Sequence, residues 1–146
     1  MKTIYDEATR KELIDRIHLL TDESPAQWGK MNVYQMVRHC RLWEEMMLGK
    51  TKYKRAFIGR IFGKLALRTV MKEGPLQRNT PTLPAMIIRE NGLISSEKDR
   101  WIALIGEHGR PSGVPIDHPF FGKMTREQVG IMAYKHADHH LRQFNV

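Results

Sequence analysis

Seven histidines are many for a chain of 146 residues, and four of them fall near its end, in His118 and the run His136-Ala137-Asp138-His139-His140. Imidazole is the commonest side-chain metal ligand, so the spacing of these residues carries the first functional question. At about 100° per residue on a helical wheel, Val129, Ala133, His136, His140 and Phe144 share one sector of about 80°, flanked by Met132 and Ala137. Asp138 and Arg142 point away from that sector, and His139 falls at its edge. Two side chains one turn apart approach the same point, which makes the His136/His140 pair the two-toothed clamp of H-x-x-x-H metal sites. Burying two neutral imidazoles also buries ring nitrogens that need partners. A metal ion satisfies two of them at once; hydrogen bonds to neighbouring groups inside the core are the alternative.

An open divalent site commonly takes three protein ligands. His39 is the candidate for the third, about 80° from the centre of the Met36, Cys40, Trp43, Met47 stripe on the flank where helices meet. Cys40 lies nearer the centre of that stripe and reads as a small buried apolar residue in preference to a ligand. His18 and His108 lie toward helix C-termini, which suits capping or surface positions. His118 precedes Pro119-Phe120-Phe121-Gly122 and reads first as a brace for that loop, with a supporting or fourth-ligand role as alternatives. The aromatics Trp28, Trp43, Phe120 and Phe121 read as core and loop anchors.

These residues need helices to position them, and the periodicity supplies them. A first helix spans about Asp6 to Leu20, with Leu13, Ile14, Ile17 and Leu20 on one face. Asn32 with Gln35 makes a capping-box variant that opens a second helix ending near Gly49. A third, basic helix covers about Ala56 to Met71. On it Ile58, Ile61, Phe62, Leu65, Ala66 and Val70 form an apolar side expected to dock, leaving Arg60, Lys64 and Arg68 in solvent, and Gly59 and Gly63 favour close helix contact over base reading. Ser96 with Asp99 starts a further helix that Gly109 and Pro111 close, and Thr125 with Gln128 makes the capping box of the last, which runs to about Phe144. Between them, Gly74 to Asn91, with a short strand or turn near Ile87 to Arg89, and Pro111 to Lys123 are expected as ordered loops.

Length and composition fit one domain over residues 1–146, with 41% hydrophobic and 27% charged residues. One cysteine excludes an internal disulfide. With no apolar run after the first lysine and no uninterrupted span of about 18 apolar residues, the expected location is cytoplasmic, without a membrane span. The net charge of +8 is local: Lys50, Lys52, Lys54, Arg55, Arg60, Lys64, Arg68 and Lys72 lie in a segment with no acidic residue, and the rest of the chain is balanced.

Four stretches together resemble the DUF1569 family of the DinB/YfiT-like superfamily: Trp28-Gly29-Lys30-Met31, Met36-Val37-Arg38-His39-Cys40, His118-Pro119-Phe120-Phe121-Gly122-Lys123-Met124-Thr125, and Tyr134-Lys135-His136-Ala137-Asp138-His139-His140-Leu141-Arg142-Gln143-Phe144. The resemblance implies an all-α, DinB-like four-helix up-down-down-up bundle, here with an extra basic amphipathic helix and two ordered loops. It also implies a divalent metal ion, Ni, Zn or Fe, held by His39, His136 and His140. Superfamily members include thiol-dependent transferases, a thiol-linked isomerase and metal-dependent hydrolases, which implies a small-molecule substrate, anionic or thiol-containing, and a homodimer. Ala137 stands where an H-E-x-x-H motif carries its glutamate base, which argues against a zincin protease. No general base is identified; Gln143, beside the histidine sector, is a candidate to orient a ligand, with Asp138 and His139 as further supporting residues.

Two readings follow. In the first, the protein is a metal-dependent hydrolase or thiol transferase with a three-histidine site. In the second, it is a non-enzymatic protein that binds nucleic acid or an anionic surface through the basic segment 50–72; nucleic acid is the less favoured partner.

Overall fold

A computed structural model of the chain describes residues 1–110 and 116–146. Among them the chain is predominantly helical: α1 (Glu7–His18), α2 (Val33–Met47), α3 (Phe57–Val70), a 3-10 turn (Pro84–Met86), α4 (Ser95–Glu107), strands β1 (Ile116–His118) and β2 (Gly122–Met124), and α5 (Arg126–Gln143). Both expected capping boxes are present. Asn32 accepts from Gln35 N while Gln35 returns the bond to Asn32 N, and Thr125 and Gln128 do the same at the start of α5. Gly49 ends α2 with φ +74°, the left-handed backbone that glycine adopts without strain.

The start of α4 differs from expectation. Its N-cap is Ile94, whose N–H donates to Asp22 Oδ1 at 2.8 Å, so a carboxylate from the distant α1–α2 connection stands where the Ser96/Asp99 signal was expected. The helices α1 and α2 each pack on both α4 and α5, around Leu13, Ile17, Met36, Trp101, Ile105 and Leu141. Two histidine-bearing helices are thereby brought together: α2 carries His39 and α5 carries His136 and His140.

Three further expectations are corrected. The fold is not purely helical, because the described part of the Pro111–Lys123 loop forms an antiparallel hairpin pairing Ile116 with Met124, Asp117 with Lys123 and His118 with Gly122. Residues 111–115 of that loop lie outside the described residues. Strands of three residues give almost no period to read, and only the in-out-in burial of each strand and Gly122 at φ +80° mark the turn. In the Gly74–Asn91 connection, the turn falls at Pro84–Met86, three residues before the expected place.

The third correction concerns α3. Its buried residues are Gly59, Gly63 and Leu67, while Phe57, Ile58, Ile61, Phe62 and Leu65 are exposed. The helix therefore docks by its glycine side, turned from the expected apolar face. A side chain at either glycine would overlap the carbonyl oxygen of Phe120, so these two positions allow a backbone approach that a Cβ blocks. The close contact expected at Gly59 and Gly63 is therefore present, made with the hairpin backbone, while the count of apolar side chains pointed to the wrong face.

Candidate metal centre

The wheel prediction for α5 holds at every position: Val129, Ala133, His136, His140 and Phe144 are all buried. His39, His136 and His140 are 2%, 7% and 7% exposed. Each offers a ring nitrogen, and the three nitrogens lie within 4.8 Å of one another. Among the described residues no Asp, Glu or Cys joins this group.

The hydrogen bonds fix which nitrogens face each other. His39 Nδ1 lies 3.2 Å from the Met86 carbonyl oxygen, which can only accept, so Nδ1 carries the proton and Nε2 is a bare lone pair. The 3-10 turn at Pro84–Met86 thus orients a ring on α2. Gln143 performs the same service for His140. Its Nε2 donates to the Trp28 carbonyl oxygen at 2.7 Å, which turns Oε1 toward His140 Nδ1 at 2.8 Å. His140 therefore also holds its proton on Nδ1 and leaves Nε2 bare. The third ring, His136, is stacked face to face on Trp43, with centroids 4.1 Å apart at 11°. Its Nε2 is 3.1 Å from His39 Nε2, and its Nδ1 has no hydrogen-bond partner among the described residues.

Two of the three converging nitrogens are thus bare lone pairs, and His136 Nε2 either supplies the one N–H among them or, with its proton on the unpartnered Nδ1, becomes a third lone pair. Protonating the rings does not relieve the imbalance. Burial lowers the pKa of His39, and burial together with the neighbouring imidazoles holds His136 and His140 well below the usual histidine range. With the His136 proton on Nδ1, a divalent cation can accept all three Nε2 lone pairs, and two of the three imidazoles, His39 and His140, have their far nitrogens held by carbonyl groups as metal-ligating histidines commonly do. The residues present fit such an ion.

Other candidates fall outside the cluster. Cys40, one residue from His39, turns its thiol to Met36 Sδ at 3.7 Å, and burial pushes its pKa well up. His118 braces the hairpin as expected: its Nδ1 accepts the N–H groups of Phe120 and Phe121 at 3.1 and 3.2 Å. Burial, with the nearby Arg55 charge, lowers its pKa to about 4. His139 sits edge-on to both Trp28 and His140, and Arg78 lies 4.0 Å above the Trp28 ring. Asp138 belongs to another contact, a 2.8 Å ion pair with Arg16.

His108 stands at the C-cap of α4, as one of its two expected roles had it, and only the surface alternative is corrected. It is buried, and its Nε2 lies 2.7 Å from Glu44 Oε2, tying α2 to the C-terminal end of α4. Charged residues at buried wheel positions of separate helices were the available signal, and Glu44 was not singled out. Gln143, expected beside the site as a candidate to orient a ligand, does orient the His140 ring, and the single bond it donates to the Trp28 carbonyl is a long-range contact that spacing cannot display. A surface hollow of about 520 Å³ is lined by Met1, Thr3, Tyr5, Arg126, Glu127 and Ile131, away from the three imidazoles. It brings no nitrogen cluster together, so the chemistry is assigned to the histidines.

No described helix is long and apolar enough to cross a membrane. A family model described as "Protein of unknown function (DUF1569)" matches residues 6–146. No curated protein and no solved structure matches the chain.

Proposed function

The chain belongs to the DUF1569 family, and we propose that it is a divalent-metal-dependent enzyme in which His39, His136 and His140 hold a Zn, Ni or Fe ion. The observation that carries this reading is the convergence of three buried ring nitrogens whose rings are oriented from behind by the Met86 carbonyl, the Gln143 amide and the Trp43 ring. A DinB-like arrangement of α1, α2, α4 and α5 is part of the proposal, supported by the packing of α1 and α2 on both α4 and α5. Such an ion lowers the pKa of a bound water or thiol enough to make a nucleophile near neutral pH.

The chain's own residues supply the setting. Trp43 and the surrounding apolar core exclude water from the His136 side, and the low exposure of the three rings keeps the local dielectric low. Burial lowers the pKa of His118 and His139, the two histidines bordering the cluster, and the cations Arg55 at the first and Arg142 and Arg78 at the second add to it against the opposing Asp117 and Asp138. These cations are the feature that favours an anionic small substrate or the thiolate of a thiol-containing one. Hydrolase and thiol-transferase chemistry both suit this site, with no carboxylate base required among its residues.

Metal-reconstituted protein assayed against a panel of ester substrates and thiol-conjugation reactions tests the proposal. Turnover that depends on added metal, disappears in His136→Ala and persists in Cys40→Ser supports it. Turnover that His136→Ala leaves intact removes it.

A further inference from the structure

The α3 helix presents an unusual outer face. Phe57, Ile58, Ile61, Phe62 and Leu65 are 74%, 62%, 61%, 55% and 64% exposed. At 100° per residue they fill one sector of about 140°, opposite the docked Gly59, Gly63 and Leu67. Five large side chains at these exposures amount to roughly 600 Å² of contiguous apolar surface, at the upper end of what a monomer shows without a partner.

The helix is held with that face outward. At its start, Ala56 N donates to Pro119 O at 2.9 Å and Arg55 reaches His118 O and Gly59 O, both at 3.2 Å. In its middle, the glycine side closes on Phe120 and Lys64 Nζ donates to Lys123 O at 2.7 Å. At its end, Lys135 Nζ from α5 caps the carbonyls of Val70 and Lys72 at 2.7 and 2.6 Å. Rotating α3 to bury its apolar stripe would break all of these at once.

Charge identifies the partner. Residues 50–72 carry eight Lys and Arg and no acidic residue. Lys50 and Arg55 pair with Glu107 and Asp117, while Lys52, Lys54, Arg60, Arg68 and Lys72 are exposed and form no ion pair among the described residues. A second copy of the chain fits poorly. An antiparallel two-fold centred on Ile61 would set Arg68 against Lys54 and Lys72 against Lys50 of the other copy, and a parallel one would set each cation against itself. A nucleic acid would meet a face whose centre is aliphatic and aromatic carbon. An outward apolar stripe flanked by Lys and Arg, on a helix lying along the surface, matches an interfacial helix that inserts its apolar side chains at the headgroup boundary while its cations meet anionic lipid.

We propose that α3 docks the protein onto a bilayer surface bearing anionic phospholipid, with Phe57, Ile58, Ile61, Phe62 and Leu65 inserted and Lys52, Lys54, Arg60, Arg68 and Lys72 against the headgroups. Docking is peripheral and reversible, and it is weakened by salt.

The test is co-sedimentation of the full chain with phosphatidylcholine vesicles, with and without phosphatidylglycerol, over a salt series. Binding to the phosphatidylglycerol vesicles is expected, with little to phosphatidylcholine alone. The Phe57→Ser/Ile61→Ser/Leu65→Ser variant, checked for unchanged circular dichroism, loses it. Arg60→Gln/Arg68→Gln weakens it by about 30-fold, the fold-change for two cations at about 1 kcal/mol each. No binding to anionic vesicles at low salt overturns the proposal, as does binding that the serine variant leaves unchanged. Retention by DNA without vesicle binding, or a dimer in sedimentation equilibrium that the serine variant dissociates and that ignores vesicles, assigns the face to another partner and overturns it equally.

Discussion

Replacing Gln143 separates two tasks that its amide performs. The side chain is 3% exposed, accepts from His140 Nδ1 at 2.8 Å and donates to the Trp28 carbonyl at 2.7 Å. Gln143→Leu leaves a buried N–H and a carbonyl without partners, each costing about 1–3 kcal/mol, so a stability loss of about 2–6 kcal/mol is expected. It also frees the His140 ring to turn or change tautomer, and loss of such an outer hydrogen bond lowers metal affinity by about 10–100-fold. Gln143→Glu divides the effects. A carboxylate still accepts from His140 Nδ1, yet it sets an oxygen against the Trp28 carbonyl, so metal affinity is kept while stability falls. The main-chain bond from Gln27 N to Gln143 O, at 2.7 Å, persists in both variants and keeps the Trp28 loop nearby. Zinc affinity by competition with a chromophoric chelator, alongside urea unfolding, reads the two quantities separately. A Gln143→Leu protein that binds zinc as tightly as the parent, or a Gln143→Glu protein that is equally stable, refutes this reasoning.

Two further tests address the scaffold. In urea unfolding, Gly63→Ala is expected to lose about 1–3 kcal/mol despite alanine's higher helix propensity, because its Cβ overlaps the Phe120 carbonyl. Gly106→Ala in α4, where an added Cβ meets no heavy atom within 4 Å, gains up to about 1 kcal/mol; a gain at both sites contradicts the docked arrangement of α3. His118 has its pKa lowered to about 4 by burial and by Arg55, whereas the unfolded chain takes up the proton near 6.5. The unfolded state therefore binds more protons between these values, and stability falls as pH drops from about 6.5 to about 4, by up to about 3 kcal/mol for this group. His118→Asn keeps an acceptor for the Phe120 and Phe121 N–H groups and removes the titration; in chelator-treated protein its stability profile is expected to lie flatter across that window, and parallel profiles contradict the assignment.

The candidate site was legible in the sequence to an unequal degree. His136 and His140 stood out because a single helix with a clean 3.6-residue period places them, and their burial follows from Val129, Ala133 and Phe144 alone. His39 required the resemblance as well, since its wheel position was only a flank, and burial at that flank depends on the 3-10 turn that covers it. Gln143 meets His140 one turn along the same helix, which the period placed beside the site, whereas the Met86 carbonyl on His39 and the Trp28 carbonyl that fixes the Gln143 amide act across long sequence separations that no local period reports.

The same contrast runs through the fold. Capping boxes at Asn32 and Thr125 are local chemistry and were read directly. The hairpin at Ile116–Met124 was not, because strands of three residues are fixed by tertiary contact with α2 and α3. For α3, periodicity gave the helix but inverted its orientation: apolar content suggested the Ile61 side, while Gly59 and Gly63 permitted a closer approach on the other. The His108–Glu44 pair was missed for a related reason, in that two polar residues on different helices bury each other.

The central claim, a metal ion held by three imidazoles, is tested most directly by elemental analysis of protein purified without a histidine tag or added metal. The account predicts about one equivalent of Zn, Ni or Fe per chain, lost in each of His39→Ala, His136→Ala and His140→Ala and retained in Cys40→Ser. A folded parent protein with no bound transition metal that also takes up none on reconstitution, or metal content that the three alanine variants leave unchanged, would contradict it.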